Sequence, residues 1–154
     1  MDNQQERLTL AYLAGIVDGE GWVGISRNVN KGRRAGFALL PQISIHMVGP
    51  EPIEHMDSLF RSVGLPSYIQ HSLARGTSRW NVVGVKRVRR VLEVLLPYLY
   101  IKRRQAVLVL EYCDSRLGRP YGEAVNERDL EIREQVCALN TKGKNPQRLY
   151  AELA

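Results

Sequence analysis

Tyr12-Leu-Ala-Gly-Ile-Val-Asp-Gly-Glu-Gly21 is the stretch on which the reading of this chain turns. It closes a segment, Arg7 to Gly19, in which Leu8, Ala11, Tyr12, Gly15 and Gly19 fall near one face of a helix. Ala11, Gly15 and Gly19 recur every four residues, so part of that face carries almost no side chain. Small residues at this spacing let two backbones approach closely. The neighbour is either the chain's own sheet or another helix of the same kind, and the spacing alone leaves both open.

Outward from this helix the pattern changes to strands. Val23 and Ile25 alternate with Gly24 and Ser26, and Ile43, Ile45 and Met47 alternate with Gln42, Ser44 and His46. The polar run from Asn28 to Arg34 between them reads as a hairpin tip. Pro50 and Pro52 close this section, and Ile53 to Val63 predicts a short helix stopped by Gly64 and Pro66. A second hairpin is expected from Tyr68 to about Val83, turning near Arg75 to Ser78. Val85, Val88, Leu92 and Leu95 mark a helix ended by Pro97, and Lys102 to Leu117 marks another. Asn126, with Glu127 and Asp129 behind it, predicts an N-cap and a helix to about Leu139. Asn145-Pro146 predicts a last short helix. The order α-β-β-α-β-β-α plus C-terminal helices, without repeat or linker, predicts one α+β domain over residues 1–154.

At 154 residues the chain has room for one such core. No apolar run approaches the roughly 20 residues that span a bilayer, so no membrane partner is expected. The polar N-terminus does not read as a secretory signal, and an intracellular location is the expectation. Cys113 and Cys137 form no CxxC or His/Cys cluster, which argues against structural zinc and a disulfide framework. The net charge of +6 points to an anionic partner, and its distribution sharpens this. Gly21 to Pro50 and Ser58 to Leu92 contain no acid, yet they hold four and seven Lys or Arg residues respectively. A solvated basic surface is the plain alternative, but two separate acid-free stretches favour nucleic acid over it, and a structural or purely protein-binding role leaves them unexplained. His46, His55 and His71 form no HNH-type pair.

The quoted stretch resembles the LAGLIDADG motif of homing endonucleases. Leu13, Ala14, Gly15, Asp18 and Gly21 match it directly, and Glu20 stands where the family uses a second carboxylate. Pro97 to Ala106 is similar to the PxLxxKxxQA segment of the family, and Val136 to Asn140 resembles the single-motif algal chloroplast members. The resemblance implies a homodimer, with the motif helices meeting through Ala11, Gly15 and Gly19 at a twofold axis. It implies Mg²⁺ as cofactor, held by Glu20 and the carbonyl of Gly19, with Mn²⁺ substituting and Ca²⁺ supporting binding without cleavage. Carboxylate and carbonyl oxygens suit such hard cations, and bound charge would offset the cost of an acid at the negative end of a helix. Lys102 matches the family's basic active-site residue, while Asp18 reads as structural.

The resemblance also implies a saddle-shaped four-stranded sheet seated in the major groove of double-stranded DNA, over roughly 20 base pairs per dimer. Strand alternation then selects Ser26, Asn28, Asn30, Gln42, Ser44, His46, Gln70, Ser72, Arg79 and Asn81 as DNA-facing, with Arg33, Arg34 and Arg75 at the hairpin tips on bases or phosphates. The implied activity is site-specific hydrolysis of DNA at a long pseudo-palindromic target in an organellar or prokaryotic genome. One departure stands out: relatives place a polar residue, often Gln, just after the second strand, where this chain reads Met47-Val-Gly-Pro-Glu-Pro52. Glu51 and His46 are the nearby polar substitutes. The altered segment keeps open a LAGLIDADG-derived RNA maturase or an inactive DNA-binding protein.

Overall fold

The computed structural model describes residues 2–141, so the helix expected from Asn145 lies outside the described residues. The elements run α1 (Asn3–Glu20), β1 (Gly21–Val29), β2 (Phe37–Val48), α2 (Glu51–Ser62), β3 (Tyr68–Ser72), β4 (Thr77–Val83), α3 (Val85–Leu95), α4 (Arg103–Leu117) and α5 (Glu127–Asn140), with a 3-10 turn at Leu96–Tyr98. The order is the one the sequence predicts. The first helix is a turn longer than its apolar pattern, because Asp2 caps it by accepting from the Gln5 N–H at 2.7 Å. It also runs through Glu20, one residue further than expected. The second hairpin turns at residues 73–76 rather than 75–78. Gly76 there takes φ +61°, a conformation that costs a residue without a side chain little.

The four strands form one antiparallel sheet in the order β1-β2-β4-β3. On its covered face Val23, Ile25, Ile43, Ile45, Trp80 and Val82 are buried against the helices. Met47, also expected there, is only half-buried at the strand end. α1 contributes Leu10, Leu13, Ala14 and Val17 to the same core. Trp80 stacks on Phe60 with ring centroids 4.2 Å apart, and its indole N–H donates to Ser67 Oγ at 2.7 Å. The polar end of that large ring is therefore satisfied inside the core. Tyr112 OH ties α4 to β2 by donating to the Leu39 carbonyl, and Asn140 Nδ2 ties α5 to β1 by donating to the Val23 carbonyl. Burial pushes the Cys113 thiol up to about 12, so it behaves as a core side chain with no thiolate at neutral pH.

α5 begins in a reciprocal capping box between Asn126 and Asp129. Asp129 is 1% exposed and also accepts two hydrogen bonds from Arg119 Nη2, at 2.7 and 2.9 Å. Asp129→Ala would leave that guanidinium without its partner and open the cap. Loss of a buried pair costs about 3–5 kcal/mol. Urea unfolding should show a drop of that size, and a change below about 1 kcal/mol would mean that solvent already satisfies Arg119.

Candidate nucleic-acid interface and metal centre

The open face of the sheet follows from the register. Residues directly opposite one another in an antiparallel pair point to the same side. Ser44 pairs with Trp22 on β1 and Asn81 on β4, His46 pairs with Arg79, and Arg79 pairs with Gln70. Even-numbered residues of β1, β2 and β3 thus share one face with odd-numbered residues of β4. Nine expected DNA-facing residues lie on it: Ser26, Asn28, Gln42, Ser44, His46, Gln70, Ser72, Arg79 and Asn81. No strand contains an Asp or Glu, so the face has no negative side chain. Arg79 donates to Gln70 Oε1 at 2.9 Å across the strands, and Ser26 Oγ donates to Gln42 Oε1 at 3.3 Å. Arg75 joins His46, Gln70, Ser72 and Arg79 around a concavity of about 320 Å³ on this face.

Three of the expected residues sit differently. Ser44 is on the correct face but only 5% exposed, opposite the large side chain of Trp22. Asn30 lies in the hairpin tip, where its Oδ1 accepts from the Gly32 N–H at 3.1 Å, a local turn contact. Arg33 lines a cavity beside α3 and α4, away from the concavity that holds Arg75. Trp22, Tyr68 and Thr77 share the open face but were not anticipated: Trp22 and Tyr68 are aromatic, and Thr77 falls in the stretch read as the turn. Their position in the alternation was the available signal. The indole of Trp22 lies across Gly24 so closely that a Cβ there would come within 2.5 Å of the ring, which accounts for glycine at that position.

At the other end of β1 the motif helix meets the sheet with no intervening loop. Gly21 makes this possible, since a Cβ on it would lie 2.5 Å from the Val17 carbonyl. The Gly21 N–H donates to that same carbonyl and closes the helix. Glu20, the last helical residue, is exposed, as is Gly19. Asp18 is 8% exposed and holds the chain before α4 against the helix end: its Oδ2 accepts from the Tyr100 N–H at 2.8 Å and its Oδ1 from the Lys102 N–H at 2.9 Å. Lys102 Nζ in turn donates to the Asp18 carbonyl at 3.1 Å. Residues 84 positions apart are thereby joined, and a lysine cation faces the negative end of the helix dipole. His46 follows Ile45, the partner of Gly21, and so lies at the Glu20 end of the open face. Glu51 opens α2.

The donor set suits a hard divalent cation: an exposed carboxylate with helix-terminal carbonyls beside it, all oxygen. Of the last carbonyls, those of Val17 and Asp18 already accept from Gly21 and Lys102, while Gly19 lies exposed. Among the described residues no three His, Cys, Asp or Glu side chains come together, so one chain brings a partial set.

The small-residue face of α1 is open. A Cβ placed on Gly15 or Gly19 would meet nothing within 4 Å, so the chain's own sheet does not fill it. Leu8 and Tyr12 flank it at 60% and 53% exposure. No helix among the described residues is long and apolar enough to cross a membrane.

No family model matches the chain. The DNA endonuclease I-CvuI of Chlorella vulgaris is 33% identical over 110 residues, which cover 71% of this chain and 66% of that relative. A crystal structure of I-CvuI with a target DNA left uncleaved in 2 mM Mg superposes with a TM-score of 0.74 at 22% identity, over 93% of this chain and 88% of that one. An archaeal intron-encoded homing endonuclease complexed with DNA gives 0.73 at 18% identity, over 92% and 89%. A LAGLIDADG homing endonuclease bound to its target DNA, I-LtrWI, gives 0.69 at 16% identity; the match covers 96% of this chain and 49% of that one. The α+β fold of this chain, with helices over one face of a four-stranded antiparallel sheet, is therefore the fold of these solved structures. The chain belongs to the LAGLIDADG homing endonuclease family.

Proposed function

We propose that the protein is a homodimeric, metal-dependent endonuclease that cuts double-stranded DNA at one long, partly symmetric site. The observation that carries this reading is the junction at Glu20, where one residue ends the motif helix and the next begins a strand of the acid-free sheet. Groove reading and phosphodiester chemistry are thereby fixed to one rigid frame.

The open face supplies the reading surface. β1 is nine residues long, about 30 Å at the usual strand rise, close to the 34 Å of one duplex turn. The polar side chains of the open face are amides, hydroxyls, His46 and Arg79, which suit the donors and acceptors of base edges in the major groove. The Arg79–Gln70 hydrogen bond orients the guanidinium before DNA arrives, so less side-chain freedom is lost on binding.

The reacting centre is built by pairing. Two copies related by a twofold axis through the open faces of α1 would bring two Glu20 carboxylates together, one for each strand. Glu20 and the Gly19 carbonyl would hold the divalent cation. When bound, such an ion lowers the pKa of water and screens the charge on the leaving oxygen. Lys102, held by Asp18 at the same helix end, adds fixed positive charge where the phosphate gains negative charge. Mg²⁺ is the expected ion, with Mn²⁺ substituting and Ca²⁺ supporting binding alone.

The test is incubation with a randomised duplex library and Mg²⁺, followed by sequencing of the cut ends. A single partly palindromic consensus is the expected result. Specific retention of duplex without cutting, in Mg²⁺ and in Mn²⁺, would leave a binding protein. Specific retention of RNA alone would leave a maturase.

A further inference from the structure

The β1–β2 hairpin overhangs the rest of the sheet. β4 pairs with β2 only from Val48 back to Gln42, whereas β1 continues to Phe37. In the notch beyond the end of β4 lies a cavity of about 490 Å³, between the hairpin tip, the start of α3 and the end of α4. Its lining includes Arg33, Lys86, Arg87, Arg116, Arg119 and Tyr121, with no acid among the lining residues. Asp129 neutralises Arg119 from behind, which leaves four cations on the wall without counting it.

The cavity adjoins the open face. Val83, part of its lining, lies opposite Gln42, and Arg87 stacks over the ring of Tyr68, opposite Asn81. Gln42, Asn81 and Tyr68 all belong to the DNA-facing side. The notch also lies at the hairpin-tip end of the sheet, the end away from Glu20. Three separate segments therefore converge their cations where the outer end of a half-site would leave the sheet. Along the lining the polar groups are donors, with few fixed acceptors for base edges, which suits phosphate more than sequence. The first turn of α3 adds to this: it contains no acid, and its Gly84 cap offers no side-chain acceptor.

We propose that this notch is a second DNA-binding site, which clamps the phosphodiester backbone of the duplex flanking each half-site. The proposal rests on the endonuclease reading, and it assigns Arg33 to a backbone contact with Lys86, Arg87 and Arg116. The contact is independent of sequence: it extends the footprint and raises affinity for any duplex, without changing which bases are preferred.

Binding of random-sequence duplex DNA, titrated with NaCl in the absence of divalent metal, tests it. Each phosphate that is no longer neutralised should lower the salt slope by about 0.9, so Lys86→Ala with Arg116→Ala should lower it by about 1.8 per subunit. Arg61→Ala with Arg128→Ala removes equal charge from α2 and α5, outside the notch, and should change the slope far less. Equal changes in both double variants would reduce the effect to net charge and overturn the proposal. Tyr121→p-azidophenylalanine gives a readout that leaves the charges in place, since Tyr121 is 99% exposed at the cavity. Photocrosslinking to duplex DNA is expected, and crosslinking to RNA alone, or to nothing, would overturn it. A wild type that failed to bind duplex DNA would instead sink the endonuclease reading. Normal wild-type binding with an unchanged slope in the notch variant would sink the notch alone.

Discussion

Glu20→Gln should abolish cleavage and leave DNA recognition intact. The substitution preserves the shape of the side chain and removes the single charge that the exposed end of α1 offers to a cation. Its surroundings define the effect. Glu20 ends a helix whose dipole presents partial negative charge, and Lys102, the cation at the same helix end, donates to the Asp18 carbonyl. Without metal, Glu20 therefore repels a phosphate backbone, and Gln would relieve that repulsion. Binding in metal-free buffer should hold or tighten. Cleavage is a different matter. A bound divalent ion contributes several kcal/mol of transition-state stabilisation, and each 1.36 kcal/mol is a factor of ten in rate. A fall of at least about a hundredfold in the single-turnover rate is expected. A variant that cut at the wild-type rate would remove Glu20 from the reacting centre. A variant that lost binding as well would make Glu20 a recognition residue.

Much of this arrangement is legible in the sequence. The element order can be read because strand alternation and helix spacing are local patterns, interrupted by glycines and prolines that mark the turns. The open face is legible for the same reason, since a period of two fixes which side chains share a side. What escapes is non-local. The Asp18 carboxylate and Lys102 are 84 residues apart, and only the folded chain shows that one positions the other. Ser44 matches the alternation and is nonetheless 5% exposed between Trp22 and Asn81 on the neighbouring strands. A period of two fixes the side a residue faces but not how far its cross-strand neighbours cover it. Arg33 is readable as a tip residue, but the notch it faces is built by α3 and α4, whose placement no local pattern encodes. The longer α1 is a matter of capping: Asp2 stabilises a first turn with no apolar periodicity of its own.

Gly15→Leu should convert the protein to a monomer, and with it an enzyme into an inactive chain. The glycine is not required by the subunit itself. It lies within a regular helix, without a positive φ, and a Cβ added there would meet nothing within 4 Å. In the isolated chain, leucine should even favour the helix slightly, since glycine costs about 0.8–1.0 kcal/mol relative to alanine in a helix interior. Across a close helix–helix contact the sign reverses. Overfilling a packed site costs about 1–3 kcal/mol, and a twofold axis applies the change twice, giving about 2–6 kcal/mol. That corresponds to a loss of between about 30-fold and about 10⁴-fold in dimer affinity. Sedimentation of the wild type at micromolar concentration should give twice the 17.5 kDa chain mass, and of Gly15→Leu the chain mass alone, with thermal stability of the subunit retained. Cleavage should vanish in the variant, since each monomer carries one Glu20 and half of the reading surface. A wild type that sedimented as a monomer both free and on DNA would contradict the twofold arrangement. A Gly15→Leu protein that remained dimeric would place the interface on another face, and leave the exposed Leu8–Tyr12 flank of α1 to some other contact.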